Sequence, residues 1–151
     1  MNKNKQTINM MKLIWAGNIF SKGVYTFIAY NTYQNKGLTL NTNFTKENLI
    51  FLVMGILTTF IGTVIARTLF GKTQIAKKIV NKLLTASHQK DTSSAIYGVY
   101  MMALGAIETT ALFGLVGFIQ SVNVVFYAIM MSITVIGWIA ANPFIKKQQY
   151  V

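Results

Sequence analysis

The sequence predicts an all-α integral membrane protein with four transmembrane helices and cytoplasmic N and C termini. Three observations support this prediction: an apolar composition, long apolar segments and an uneven distribution of lysine. Of the 151 residues, 53% are hydrophobic and 11% are charged, whereas soluble domains carry roughly 25% charged residues. This composition excludes an ordinary soluble domain, and the apolar content is too high for a disordered chain.

Four apolar segments predict the four spans. A helix of about 20 residues crosses a hydrocarbon core of roughly 30 Å, and three segments reach this length with at most one charge each: 48–70, 95–121 and 124–145. The fourth segment, 8–33, is interrupted by polar side chains at Lys12, Asn18 and Lys22. An amphipathic helix lying in the membrane interface is therefore the alternative for this segment. A signal peptide is disfavoured, because no small-residue cleavage site follows a compact apolar core.

Basic residues are concentrated on one side of this topology. The loop 71–94 and both chain termini are rich in lysine, whereas the connection between the first two spans carries only Lys36, Lys46 and Glu47. Short cytoplasmic loops collect basic residues, so the formal charge of +11 indicates cytoplasmic loops rather than a nucleic-acid partner. The pattern predicts one membrane domain over residues 1–151, with a basic cytoplasmic loop at 71–94.

Within that loop, Lys77, Lys78 and Lys82 alternate with apolar residues at helical spacing. Such a segment extends the second span or lies on the lipid headgroups. Each basic residue near an anionic surface contributes about 1 kcal/mol of attraction, so anionic lipids or partner subunits are the expected contacts. A solvated basic helix is the alternative.

Glu108 is the residue that most needs an explanation, because it lies near the middle of the third span. An ionised carboxylate at that depth costs at least ~2.5 kcal/mol on insertion scales. A carboxyl that is neutral in lipid and ionised beside a cation can carry a proton, which is one interpretation. The other is a structural carboxyl, bonded to a Thr or Tyr of a neighbouring helix or paired with Lys22. In either case Thr109 and Thr110 are candidate hydroxyl donors beside it.

The run Leu104–Val116 resembles the second helix of the proteolipid c subunit of F- and V-type rotary ATPases. Glu108 is followed by Phe113, Gly114 and Leu115 in the order that this family shows. The family's polar cytoplasmic hinge, Arg-(Asn or Gln)-Pro, corresponds in position to the segment that contains His88, Gln89, Lys90 and Asp91. His88 and Lys90 stand where the family has Arg and Pro, and the second span lacks the family's closely spaced glycines. The resemblance covers about residues 48–120.

The resemblance implies a membrane subunit of a proton-coupled rotary ATPase or ATP synthase, with Glu108 as the proton-binding carboxyl and Thr109 and Thr110 beside it. The alternative is a noncatalytic accessory subunit of a large membrane complex, in which Glu108 is a buried, paired carboxyl. A homo-oligomeric channel is a third possibility. In all three cases the chain alone is not an enzyme. We expect no cofactor or metal site, since the sequence has no cysteine and one histidine and lacks a phosphate-binding glycine loop. The expected location is the bacterial plasma membrane or the mitochondrial inner membrane.

Small residues also mark places where helices can approach closely. Gly105 is followed four residues later by Thr109, and Gly114 and Gly117 are three residues apart. These positions predict either an oligomer seam or internal contacts of a helix bundle.

Overall fold

Four α-helices make up almost all of the chain that the computed structural model describes, which is residues 3–36, 42–69, 78, 82 and 92–142. They are α1 (Lys3–Lys36), α2 (Lys46–Leu69), α3 (Thr92–Ser121) and α4 (Val124–Ala140). The all-helical fold predicted from the apolar segments is therefore confirmed for these residues.

Two of the helices are long and apolar enough to cross a membrane: α2, and α3 from Ile96 to Ser121. The 17 residues of α4 are apolar but form a shorter helix. Among the described helices α1 is the longest, with 34 residues, yet its polar side chains keep it out of this group.

Several observed helix boundaries differ from the predicted spans. Helix α1 extends beyond the predicted 8–33 at both ends, and helix α3 begins at Thr92, three residues before the predicted span 95–121. Helix α4 ends at Ala140 rather than continuing to residue 145. Asn142 precedes Pro143, and a residue before proline is disfavoured in the helical conformation.

The helices run alternately up and down. The first turn of α2 meets the last turn of α3, where the Asn48 amide donates to Ser121 Oγ at 3.1 Å. Further along α2, Gly62 lies against Ala103 in the first half of α3. Met11 packs with Tyr100, in the first half of α3. Thus α1 and α3 are parallel, α2 and α4 oppose them, and the start of α1 lies at the same end of the bundle as the end of α4.

Helix α3 is central and packs against the other three helices. At one end of the bundle, a buried cluster is formed by residues of α1, α2 and α3 and by the residue that follows α4. Its members are Met11, Ala66, Tyr100, Ala103, Leu104, Ile107 and Ala141. At the other end Ala29 packs with Leu115, Phe118 and Val122. Both clusters therefore fix the rotation of α3 and determine which of its residues face α1.

The contact between α2 and α3 is close because glycine lies in it. A β-carbon at Gly62 would lie 2.5 Å from the carbonyl oxygen of Ala103, so any side chain there would push the helices apart. Gly114 and Gly117 are also internal, against Met130 and Phe126 of α4. This confirms the internal interpretation for those two glycines, whereas a β-carbon at Gly105 would meet nothing within 4 Å.

A two-residue turn joins α3 to α4. Val122 has a positive φ of 52°, a conformation that costs free energy for a β-branched residue. Its N–H still donates to Phe118 O at 2.7 Å, and its side chain is buried in the second cluster. Asn123 then caps α4, since its side-chain oxygen accepts from Phe126 N at 2.9 Å.

The surface of the bundle is more apolar than that of a soluble protein. Large apolar side chains are exposed, for example Phe20 (79%), Phe60 (66%) and Ile136 (67%). The buried residues of α2 are small or polar, namely Asn48, Gly55, Thr59, Gly62 and Ala66. A soluble protein places its large apolar side chains inside and keeps such exposed patches small.

Candidate functional site between α1 and α3

Glu108 lies on the face of α3 that packs against α1, and its carboxylate is paired with Lys22. The Lys22 ammonium donates to Glu108 Oε1. Both side chains are largely buried, with 14% of Lys22 and 17% of Glu108 exposed. Of the partners that the sequence left open for Glu108, the structure shows Lys22, and the contact joins helices whose paired residues are 86 positions apart.

Ser21 is a third member of the site, which sequence reasoning missed. Its hydroxyl lies 3.2 Å from Glu108 Oε1 and 2.7 Å from the carbonyl oxygen of Asn18. One hydroxyl proton serves one of these acceptors at a time, so Lys22 is the main donor to the carboxylate. The available signal was helical spacing, because Asn18, Ser21 and Lys22 share one face of α1.

The two carboxylate oxygens of Glu108 have different surroundings. Glu108 Oε2 is buried, and within the described residues it accepts no hydrogen bond. A buried charged oxygen without a donor is unfavourable. The protein therefore balances the charge of this carboxylate through Oε1, so the pair depends on a single strong contact.

Thr109 and Thr110 are adjacent to Glu108 in sequence, but their hydroxyls bond elsewhere. Thr109 donates to the carbonyl of Gly105 at 2.9 Å, and Thr110 donates to the carbonyl of Gly55 on α2 at 2.8 Å. Successive helical residues point to different sides of the helix. Ser21, rather than either threonine, is the hydroxyl that the fold brings to the carboxyl.

Thr110 instead belongs to a buried hydroxyl cluster between α2 and α3. Its Oγ1 lies 2.7 Å from that of Thr59 and 3.0 Å from that of Thr58. The hydroxyl of Thr58 also donates to backbone carbonyls of its own helix. Each oxygen in the cluster has a partner, so this is an interhelical contact of the kind that joins helices in membranes.

A tryptophan pair and a hydroxyl contact lie on either side of the ion pair along α1. Towards the start of α1, the rings of Trp15 and Trp138 stack with centroids 4.2 Å apart. Each indole N–H donates to the backbone carbonyl of the other tryptophan at 2.9 Å. Towards the other end, the hydroxyls of Thr26 and Tyr127 lie 3.4 Å apart. Helix α1 is therefore held at three levels, with the ion pair at the middle one.

Two of the remaining predicted contact residues, Lys78 and Lys82, are exposed and helical. Lys77 and the predicted hinge residues His88, Gln89, Lys90 and Asp91 fall outside the described residues.

The described part of the chain contains no group of three His, Asp or Glu side chains that would hold a metal ion. No protein-family model, curated protein or solved structure matches the chain. The site therefore has to be interpreted from its own geometry, and the resemblance to the proteolipid c subunit stays a prediction.

Proposed function

We propose that this chain is a noncatalytic, membrane-embedded subunit of a larger complex, in which the Lys22–Glu108 pair fixes α1 against α3. The observation that carries the proposal is the direction of the carboxyl: Glu108 points into an interface within its own chain and is paired there. A carboxyl that serves a partner subunit has to be presented on the outside of the bundle, and α1 covers this one.

The exposed apolar side chains of the bundle favour a lipid environment. Exposed Leu, Ile, Val and Phe on all four helices are stable where the surrounding solvent is apolar, and glycine and threonine at the contacts are typical of membrane helices. In this proposal all four helices cross the bilayer. The lengthwise packing of α1 along α3 favours a span over a helix lying flat in the interface.

The orientation follows from charge. The start of α1 and the end of α4 share one end of the bundle; Arg67 lies in the last turn of α2 at that same end, and Lys78 and Lys82 follow in the connection to α3. The positive-inside rule makes this end cytoplasmic.

A second function, a proton-binding subunit of a rotary ATPase-like machine, is favoured by one specific observation. Glu108 Oε2 is buried without a hydrogen-bond donor from the described residues, so a proton on this oxygen would relieve an unfavourable charge. Proton exchange with a partner would require Glu108 to separate from Lys22 and become accessible beside α1.

The Glu108→Gln substitution distinguishes the two functions, because it keeps size and hydrogen bonding but removes the charge. The tagged full-length chain is isolated in mild detergent, and both its retention in the native complex and proton uptake into inverted vesicles are measured. The structural proposal expects reduced retention, with unchanged uptake per assembled complex. Normal assembly with abolished uptake would support the proton-binding function instead. Migration of the unaltered protein as a lone 16.9 kDa chain would contradict both functions. Thr109→Val, at the next position, is the matched control.

A further inference from the structure

From the asymmetry between α1 and α3 we infer that α1 is a conditional span, which crosses the membrane only when Glu108 of α3 is available to pair with Lys22. This inference rests on the proposed membrane location and goes beyond it, since it concerns how the fold is reached. In this inference α3, which is synthesised later, brings α1 into the membrane.

The first step is the difference in apolarity between the two helices. Helix α3 qualifies as a span even with Glu108 in its middle, whereas α1 does not qualify despite its greater length. A lysine at the centre of a span strongly disfavours insertion. Lys22 is the charge that α1 carries at this level of the bundle.

The second step is the placement of the polar groups of α1. Asn18, Ser21 and Lys22 are all partly buried on the side that faces α3, and the last two contact Glu108 Oε1. The opposite side is apolar, with Leu13 and Phe20 strongly exposed. Helix α1 is therefore compatible with lipid on one side only, and its other side requires α3.

The third step is order of synthesis. Lys22 precedes Glu108 by 86 positions, so α1 is made well before its counter-charge. The Trp15–Trp138 contact also forms late, because Trp138 lies near the end of α4 and is synthesised long after Trp15. The partners of α1 in the ion pair and in the tryptophan pair thus both lie in the second half of the chain, which makes late insertion of α1 the expected sequence of events.

Paired cysteine reporters test this directly, since the chain has no native cysteine. Gln6→Cys reports the start of α1 and Thr42→Cys reports its connection to α2; both positions are exposed. Each is introduced separately into the full-length chain in bacterial cells. Newly synthesised, pulse-labelled chains are treated with a membrane-impermeant maleimide, so that later degradation does not bias the result. If the two cysteines lie on opposite sides of the membrane, α1 spans it; if they lie on the same side, α1 does not.

The unaltered chain is expected to show opposite sides. Glu108→Leu is expected to raise the same-side fraction at least about tenfold, because Lys22 loses its partner. The double variant Lys22→Leu/Glu108→Leu is expected to restore opposite sides, and Thr109→Leu should match the unaltered chain.

Opposite sides in Glu108→Leu would overturn the inference, and so would failure of the double variant to restore them. Same-side reporters in the unaltered chain would instead contradict the four-span proposal itself. The two failures are therefore distinguishable.

Discussion

Helix α3 contacts α2 and α1 through faces that are built on different principles. Towards α2 the contact consists of glycine, alanine and threonine, with Gly62 against the backbone of Ala103. Towards α1 the contact includes a charged pair, with Glu108 bound to Lys22. The first interface depends on shape, and the second depends on the presence of a particular partner charge.

This difference explains why the first interface needs small residues at its closest approach, whereas the second needs a particular charge on its partner. Close packing and threonine hydroxyls satisfy α2 and α3 wherever small residues meet. A charge within an apolar environment is tolerated only beside its counter-charge. Substitutions at the two interfaces should therefore differ in whether a second substitution can rescue them.

The largest effect is expected from breaking the ion pair. Glu108→Leu leaves Lys22 buried without its partner and should destabilise the bundle by about 3 kcal/mol or more. The double variant Lys22→Leu/Glu108→Leu should recover most of that loss. A double-mutant cycle on unfolding in detergent micelles measures the coupling, and additive effects would show that the pair contributes nothing of its own.

A methyl group in the glycine contact should have the next largest effect. Gly62→Ala places a β-carbon 2.5 Å from Ala103 O, so the two helices must separate at a cost of about 2 kcal/mol. Gly105→Ala is the matched control on the opposing helix, because its β-carbon meets nothing within 4 Å. Equal midpoints for the two variants in thermal unfolding would contradict the close α2–α3 approach.

The turn between α3 and α4 is expected to respond less strongly. Asn123→Ala removes both the cap on Phe126 N and the bond to Asn43 O, at a cost of about 1 kcal/mol. Asn123→Asp keeps the cap but lacks the amide donor, and should therefore lose less stability than the alanine variant. The same unfolding measurement ranks the two, and the reverse order would refute the capping role.

The smallest effect is expected at the tryptophan pair. Trp15→Phe and Trp138→Phe each keep an aromatic ring but remove one of two equivalent N–H bonds. Interhelical bonds in membranes contribute on average about 0.6 kcal/mol, so the two variants should lose similar, small amounts of stability. A large difference between them would show that the contact is not reciprocal.

The sequence was sufficient to predict the helices, and it offered Lys22 as one of several possible partners of Glu108. Long apolar segments identify α2, α3 and α4, because spans need length and apolarity. Lys22 and Glu108 interrupt apolar segments, and buried charges need partners, which made their pairing one interpretation beside a bond to Thr or Tyr and a proton-carrying role.

The detailed contacts of the site were not predictable in the same way. Whether Ser21 or Thr109 reaches the carboxyl depends on how α1 and α3 are rotated, which the two packing clusters determine. The hydroxyl cluster of Thr58, Thr59 and Thr110 likewise depends on which faces meet. Apolar periodicity gave little help, since the exposed side chains of this bundle are as apolar as its interior.

The most direct test of the buried, paired state of Glu108 is its reaction with a hydrophobic, carboxyl-reactive carbodiimide. The native protein is treated at neutral and raised pH, and modification is located by mass spectrometry. A carboxylate paired with Lys22 should remain unmodified at both pH values, and Lys22→Leu should make Glu108 reactive, because the unpaired carboxyl takes up a proton in the apolar environment. Modification of the unaltered protein that falls as the pH rises would contradict the pairing and indicate an accessible, protonated carboxyl.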